Sequence, residues 1–259
     1  EEIASVINGL TKELDGVSRD SAIDKGRLSM ALSKQGVMVK EVSVLESGDQ
    51  HLQIHMDVKA RKGVCVTTKD MSRMMFKSTG KYFSPIVGMR SVIPQEYERF
   101  IWKEDTNYKV LTGHARVAKF GEKISGDNFS FLDLDSGEQL MLLCDGMGSG
   151  SAAYRESEEL IGLLEHLFLV NFPRDSALRM VQSLFAEGEE KCGFSTLDMA
   201  VVDLYNAKCS FYKNGAAPSF IKHSKKAETI HADSLPLGVL PENVSERIDC
   251  TLEDGDMVI

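Results

Sequence analysis

The sequence predicts an α+β protein in two units, and three observations carry that expectation. Apolar residues recur at three- and four-residue steps near the start of the chain and again between Ala152 and Phe185, the period of amphipathic helices. In several short runs they alternate with polar residues between glycine-containing turns, the period of strands. The texture changes near Asp105-Thr106, from a mixed α+β stretch to strands with two helical inserts. The domain boundary is placed there, giving units 1–105 and 106–259.

In the first unit, Ile3, Val6, Ile7, Leu10 and Leu14 form one face of an amphipathic helix ending near Asp15-Gly16. A second helix is expected over about Ser21 to Gln35, stopped by Gly36, followed by a strand from Val37 to Leu45. After a turn at Ser47-Gly48-Asp49, Leu52, Ile54, Met56 and Val58 alternate with polar neighbours as a half-buried strand. Thr67 to Lys77 reads as a helix, and Tyr82 to Val92 and Tyr97 to Lys103 as strands. Met71, Met74 and Met75 sit at helical spacing and are read as core filling rather than an adaptable binding face. His51 and His55 have no third ligand nearby and read as a polar strand face.

In the second unit, Ala152 to Val170 carries the stripe Leu160, Ile161, Leu164, Leu167 and Phe168, with Arg155, Glu156, Glu158 and Glu159 opposite. A further helix follows Pro173, with Asp175 as its expected N-cap and Leu178, Val181, Leu184 and Phe185 on its apolar face. Strands are expected over Phe194 to Tyr205, Ala207 to Lys213 and Ser219 to His223, with Gly215 to Pro218 as a turn.

Composition narrows the function. With 42% apolar and 27% charged residues, disorder is not the dominant state. A net charge of −9 disfavours a general nucleic-acid or anionic-membrane surface. The best apolar run, Leu160 to Phe172, is broken by Glu165, His166 and Asn171 and is too short to span a bilayer. The opening Glu1-Glu2-Ile3 reads as the start of a piece cut from something longer. Five widely spaced cysteines without a Cys-x-x-Cys pair suit a reducing, cytosolic setting.

The chemistry concentrates around two acids, Asp127 in Ser125-Gly126-Asp127-Asn128 and Asp145 in Cys144-Asp145-Gly146. They are 18 residues apart, the length of two strands joined by a hairpin at Asp135-Ser136-Gly137, which brings both carboxylates to one end of a sheet. The adjacent glycines are read as leaving room for an ion and exposing a backbone carbonyl. Such oxygens are hard ligands, suited to magnesium or manganese, and paired ions of that kind serve phosphate-ester hydrolysis. A turn-forming role is the plain alternative for either Asp-Gly neighbour taken alone. Gly146-x-Gly148-x-Gly150 also invites a nucleotide-loop reading, but its last spacing is wrong, Asp145 would repel a pyrophosphate, and no Lys-Ser/Thr follows. His114 and His231 lack acidic or Ser partners at a recognisable spacing, so a Ser/His/Asp hydrolase is unsupported. Ser195, Thr196 and Asp198 read as the start of a core strand.

Six segments occur in the order seen in the bacterial metal-dependent serine/threonine phosphatases: Gly126-Asp127-Asn128-Phe129-Ser130, Cys144-Asp145-Gly146-Met147-Gly148-Ser149-Gly150, Ser195-Thr196-Leu197-Asp198, Asn214-Gly215-Ala216-Ala217-Pro218-Ser219-Phe220, Leu235-Pro236-Leu237-Gly238 and Leu252-Glu253-Asp254-Gly255-Asp256. Within that group the chain resembles the stage II sporulation protein E family, most firmly from Val110 to Ile259. The resemblance implies a PPM/PP2C-like sandwich of two antiparallel β-sheets flanked by helices, preceded by a small α+β regulatory domain. It implies two Mn²⁺ or Mg²⁺ ions, with Asp127 and Asp145 as metal ligands and catalytic residues and the Gly146 carbonyl on one ion. The implied reaction is dephosphorylation of a phosphorylated anti-sigma-factor antagonist, which activates a sporulation sigma factor. Further implied are a role with the cell-division protein FtsZ at the polar septum, a homodimer through the N-terminal helix or regulatory region, and a membrane anchor on the parent protein. The family places further acidic ligands beyond the strand that closes at Ile259, so a chain ending there is expected to bind metal weakly and turn over little or nothing. The other class held open is a non-catalytic binding or dimerisation module with the phosphatase shape.

Overall fold

A computed structural model describes residues 23–46, 51–146, 148–187, 194–240 and 245–259. The chain divides into two compact units, Glu1–Asp105 and Thr106–Ile259. The amphipathic helix read over Ile3 to Leu14 and the turn at Ser47-Gly48-Asp49 lie outside the described residues.

In the first unit the element order is α1 (Lys25–Lys34), β1 (Val37–Glu46), β2 (Leu52–Ala60), α2 (Thr68–Thr79), β3 (Phe83–Pro85) and β4 (Glu98–Glu104). The strands form an antiparallel sheet in the order β1-β2-β4-β3. α1 starts where Asp24 caps it, its carboxylate accepting from the Arg27 N–H at 3.0 Å, so the described helix is shorter than the sequence period suggests. α2 opens on a reciprocal capping box between Thr67 and Asp70 and closes on Gly80, whose φ of +76° suits a residue without Cβ. Met71 and Met75 are fully buried beside Phe83, Phe100 and Trp102, as core filling requires. The strand read over Tyr82 to Val92 shrinks to three residues. Pro85 has no N–H for a ladder, and Gly88 at φ +89° turns the chain away.

In the second unit the order is β5 (Asp127–Asp133), β6 (Glu138–Asp145), α3 (Gly150–Leu169), α4 (Arg174–Glu187), β7 (Leu197–Asp203), β8 (Lys208–Asn214), β9 (Ser219–Lys222), β10 (Ala227–Ile230), β11 (Glu246–Thr251) and β12 (Met257–Val258). Five strands make an antiparallel sheet, β11-β8-β7-β6-β5, and three make a second, β10-β9-β12. Period-two alternation divides each central strand between two cores. Leu140, Leu142, Cys144, Leu197, Met199 and Val201 pack on Leu160, Leu164, Phe168, Ala177 and Val181 of α3 and α4. Ala200, Val202, Cys209 and Phe211 pack on Ile221 and Ile230 of the second sheet. The result is the α+β sandwich of antiparallel sheets with helices that the resemblance implied. One detail is corrected: α4 begins at Arg174 with the Ala177 N–H on the Pro173 carbonyl at 2.9 Å, so Asp175 lies in the first turn and is not the N-cap. Proline is accepted there because a helix leaves its first N–H groups unpaired. No helix among the described residues is long and apolar enough to cross a membrane.

Candidate metal centre

The β5–β6 hairpin sets the site. Its turn is closed by the Gly137 N–H on the Leu134 carbonyl at 2.9 Å, with Gly137 at φ +85° and Tyr205 packed so close that a Cβ would fall 2.3 Å from its ring. From that turn the register runs without a bulge to Asp127 opposite Asp145. Directly opposed residues of an antiparallel pair share a face, here the face turned away from α3 and α4. A cavity of about 670 Å³ opens on the same face, lined by His114, Phe129, Phe131, Leu143, Asp198 and Ser219 among others.

Each acid is held from outside the pair. The Ser125 hydroxyl donates to Asp127 Oδ2 at 2.9 Å, and Arg116 Nη1 donates to the Asp127 carbonyl at 3.1 Å. The Asp145 N–H donates to Thr196 Oγ1 at 3.2 Å, and the Thr196 N–H donates to the Asp145 carbonyl at 3.1 Å. Burial first, then a hydrogen bond with Asp127 and that residue's charge, push the Asp145 carboxyl above its ordinary range. A carboxylate pair in this state favours a cation that relieves the repulsion, and its all-oxygen donor set suits a hard divalent ion. Among the described residues no group of three or more His, Cys, Asp or Glu side chains comes together as a metal site.

The glycines have a different job from the one read in the sequence. A Cβ on Gly146 would stand 2.2 Å from the Ala153 carbonyl oxygen, and one on Gly126 2.8 Å from the Ala153 Cβ. They leave room for α3 rather than for an ion. The helix clamps the hairpin end further, with the Ser157 hydroxyl donating to the Gly126 carbonyl at 2.7 Å. The N-terminus of α3 is taken by the chain's own carboxylate: Ser149 Oγ donates to Glu122 Oε1 at 3.2 Å, and a Cβ on Gly150 would meet Glu122 Oε2 at 2.7 Å. That occupation argues against the nucleotide-loop reading, because the helix end that would hold a pyrophosphate already holds an anion.

Thr196 and Asp198, expected at the start of a core strand, both have a polar task in the tertiary structure. Thr196 grips Asp145. Asp198, two residues on and on the same strand face, accepts from the Nζ of fully buried Lys213 and from the Ser219 hydroxyl, while Nζ also donates to the Ala217 carbonyl at 2.8 Å and to Ser219 Oγ at 2.9 Å. The alternation of Thr196 and Asp198 with apolar Leu197 and Met199 was the available signal. His231 does have an acidic neighbour, Asp233 at 3.0 Å, but both side chains are exposed and among the described residues no Ser is hydrogen-bonded to either. His114 lies on the Phe129 ring, centroids 4.0 Å apart. His55 meets Gln53 at 3.3 Å. Burial, with the Asp145 charge behind it, pushes the Cys144 thiol up to about 12, which removes it as a nucleophile.

The family model described as Stage II sporulation protein E (SpoIIE) matches residues 135–259, a stretch that includes Asp145 and begins after Asp127. Stage II sporulation protein E of Bacillus subtilis (strain 168) is 26% identical over 257 residues, which is 99% of this chain and 31% of that protein. The protein of the same name from Priestia megaterium is 27% identical over 259 residues, 99% of this chain and 44% of its own length. The chain therefore spans less than half of either curated relative. A solved structure of the PP2C phosphatase domain and a fragment of the regulatory domain of SpoIIE from Bacillus subtilis superposes with a TM-score of 0.65 at 25% identity, covering 99% of this chain and 75% of that one.

Proposed function

For a chain that thus belongs to the stage II sporulation protein E family, we propose a metal-dependent protein serine phosphatase, with Asp127, Asp145 and the Gly146 carbonyl holding manganese or magnesium. The observation that carries this reading is the opposed pair Asp127 and Asp145, with the Asp145 carboxyl pushed up by burial and then by its partner. Bound there, the ions supply the positive charge and water activation that phosphate-ester hydrolysis needs. The chain's own residues do the positioning: Ser125 and Arg116 hold Asp127, Thr196 holds Asp145, and Ala153 and Ser157 of α3 fix the glycine-flanked strand ends.

The substrate proposed is a phosphorylated anti-sigma-factor antagonist, whose dephosphorylation activates a sporulation sigma factor. The first unit is read as regulatory, with a homodimer contact through its N-terminal helices or the regulatory region itself. FtsZ is a further proposed partner, and the setting is the cytoplasmic side of a membrane-anchored parent at the polar septum. These assignments rest on the family resemblance. A second reading, a phosphatase-shaped scaffold, is favoured by one observation: only two carboxylates converge at the site among the described residues.

Manganese-dependent phosphate release from the phosphorylated antagonist separates the two, measured in a form carrying the further acids the resemblance implies. Loss of release in Asp145→Asn with an unchanged fold supports the phosphatase. Unchanged biological function in that variant supports the scaffold.

A further inference from the structure

The segment that leads into Asp127 is basic in an acidic protein. Between positions 109 and 123 it carries Lys109, Arg116, Lys119 and Lys123 against a single acid, Glu122, while the chain as a whole has a net charge of −9. Glu122 is engaged at the start of α3 through Ser149, and the four cations are exposed.

The same segment displays bare apolar side chains. The Glu122 N–H donates to the Lys119 carbonyl at 2.9 Å and Gly121 sits at φ +89°, the signature of a type II turn with Phe120 at its corner. That turn leaves Phe120 104% exposed, and Val117 is 85% exposed. The segment is nevertheless anchored beside the carboxylate pair, by Arg116 on the Asp127 carbonyl at 3.1 Å and by Glu122 on α3. The Arg116 guanidinium also lies 5.6 Å from the centre of the Tyr154 ring. An apolar knob rimmed by cations, fixed at the mouth of a site, is built to be covered by something anionic with an apolar side chain of its own.

We infer that residues 113–124 are the docking platform for the protein substrate of the phosphatase proposed above, on which this inference rests. An acidic, phosphoserine-bearing protein segment lays an apolar side chain against Phe120 and Val117. Lys119 and Lys123 take its negative charge, and the phosphoserine is delivered to Asp127 and Asp145. A two-fold contact between copies of this chain would lay the platform against itself, cation on cation, so charge favours an acidic partner segment over that arrangement.

The test is the triple variant Lys119→Ser/Phe120→Ser/Lys123→Ser in the manganese-loaded form carrying the further acids the resemblance implies, assayed on the phosphorylated antagonist and on p-nitrophenyl phosphate, which is too small to need a platform. The expected result is a KM for the phosphoprotein raised tenfold or more, with kcat on it and turnover of p-nitrophenyl phosphate unchanged. The wild-type KM should climb with salt and the variant's should climb much less. An unchanged KM, or an equal loss on both substrates, overturns the inference. So does a variant that becomes monomeric where the wild type is dimeric, which would make the platform a self-association surface. If the wild type hydrolyses neither substrate, the phosphatase reading is what fails. Fluorescence anisotropy of the labelled phosphoprotein on Asp145→Asn protein then still decides docking: binding at least tenfold weaker with the three substitutions supports it, and equal binding sinks it.

Discussion

Thr196 grips Asp145 at both ends of the residue's backbone, accepting its N–H on Oγ1 at 3.2 Å and donating its own N–H to its carbonyl at 3.1 Å. The two are 51 residues apart in sequence, Asp145 at the end of β6 and Thr196 just before β7, the strand paired with it. Thr196→Val removes the hydroxyl and keeps the shape and the backbone bond. A hydrogen bond of this kind contributes about 1 kcal/mol, so the melting temperature should fall by only a few degrees. Manganese affinity, followed by titration calorimetry, should fall more sharply, while Thr196→Ser should restore it. Equal losses in the two variants would count against a positioning role.

Gly146 faces the Ala153 carbonyl with no space for a methyl group. Gly146→Ala must push α3 away from the hairpin end or distort the Asp145 peptide. Overpacking of this sort destabilises by about 1–3 kcal/mol. Urea unfolding should read that loss. Gly148→Ala is the useful contrast, because the space around it is open and only its φ of +96° resists the change.

Lys213 is fully buried, and its charge is met by Asp198, with Ser219 and the Ala217 carbonyl completing the shell. Truncating one member of a buried pair strands the other, at about 3–5 kcal/mol. Lys213→Met should therefore unfold at much lower urea. The double variant Lys213→Met/Asp198→Leu should recover most of the loss, since no charge is left unpaired. Failure of the double variant to recover would mean that the hydrogen bonds, rather than the ion pair, hold β7 and β9 together.

Asp256 takes the Glu253 N–H at 2.8 Å and meets His223 Nδ1 at 2.9 Å, and these bonds, the backbone one first, hold its carboxyl below the ordinary carboxylate range. A folded-state pKa depressed below the unfolded one contributes stability that is present above the unfolded value and is lost as pH falls through the folded value. Asp256→Ala should accordingly lower the melting temperature at pH 7, and the gap to wild type should close as the pH is taken below about 4, the unfolded carboxylate value. A gap that stayed constant across that range would rule out the ionised carboxylate as its source.

The sequence by itself determined the periodic elements and one end of the site. Alternation placed the strands, and the turn Asp135-Ser136-Gly137 lying midway between two acids determined that Asp127 and Asp145 would meet. Helical spacing determined that Met71 and Met75 would be core. Those are local signals, written within a few residues by the 2.0 and 3.6 periods and by turn chemistry. Only the tertiary structure decided what Gly126 and Gly146 are for, because the need for glycine comes from Ala153 on a packed helix. It also decided that Thr196 serves Asp145, that Asp198 answers a buried lysine, and that the run after Tyr82 stays short. Each of these depends on a neighbour distant in sequence or on a ladder bond that proline cannot make, and neither leaves a periodic mark on the chain.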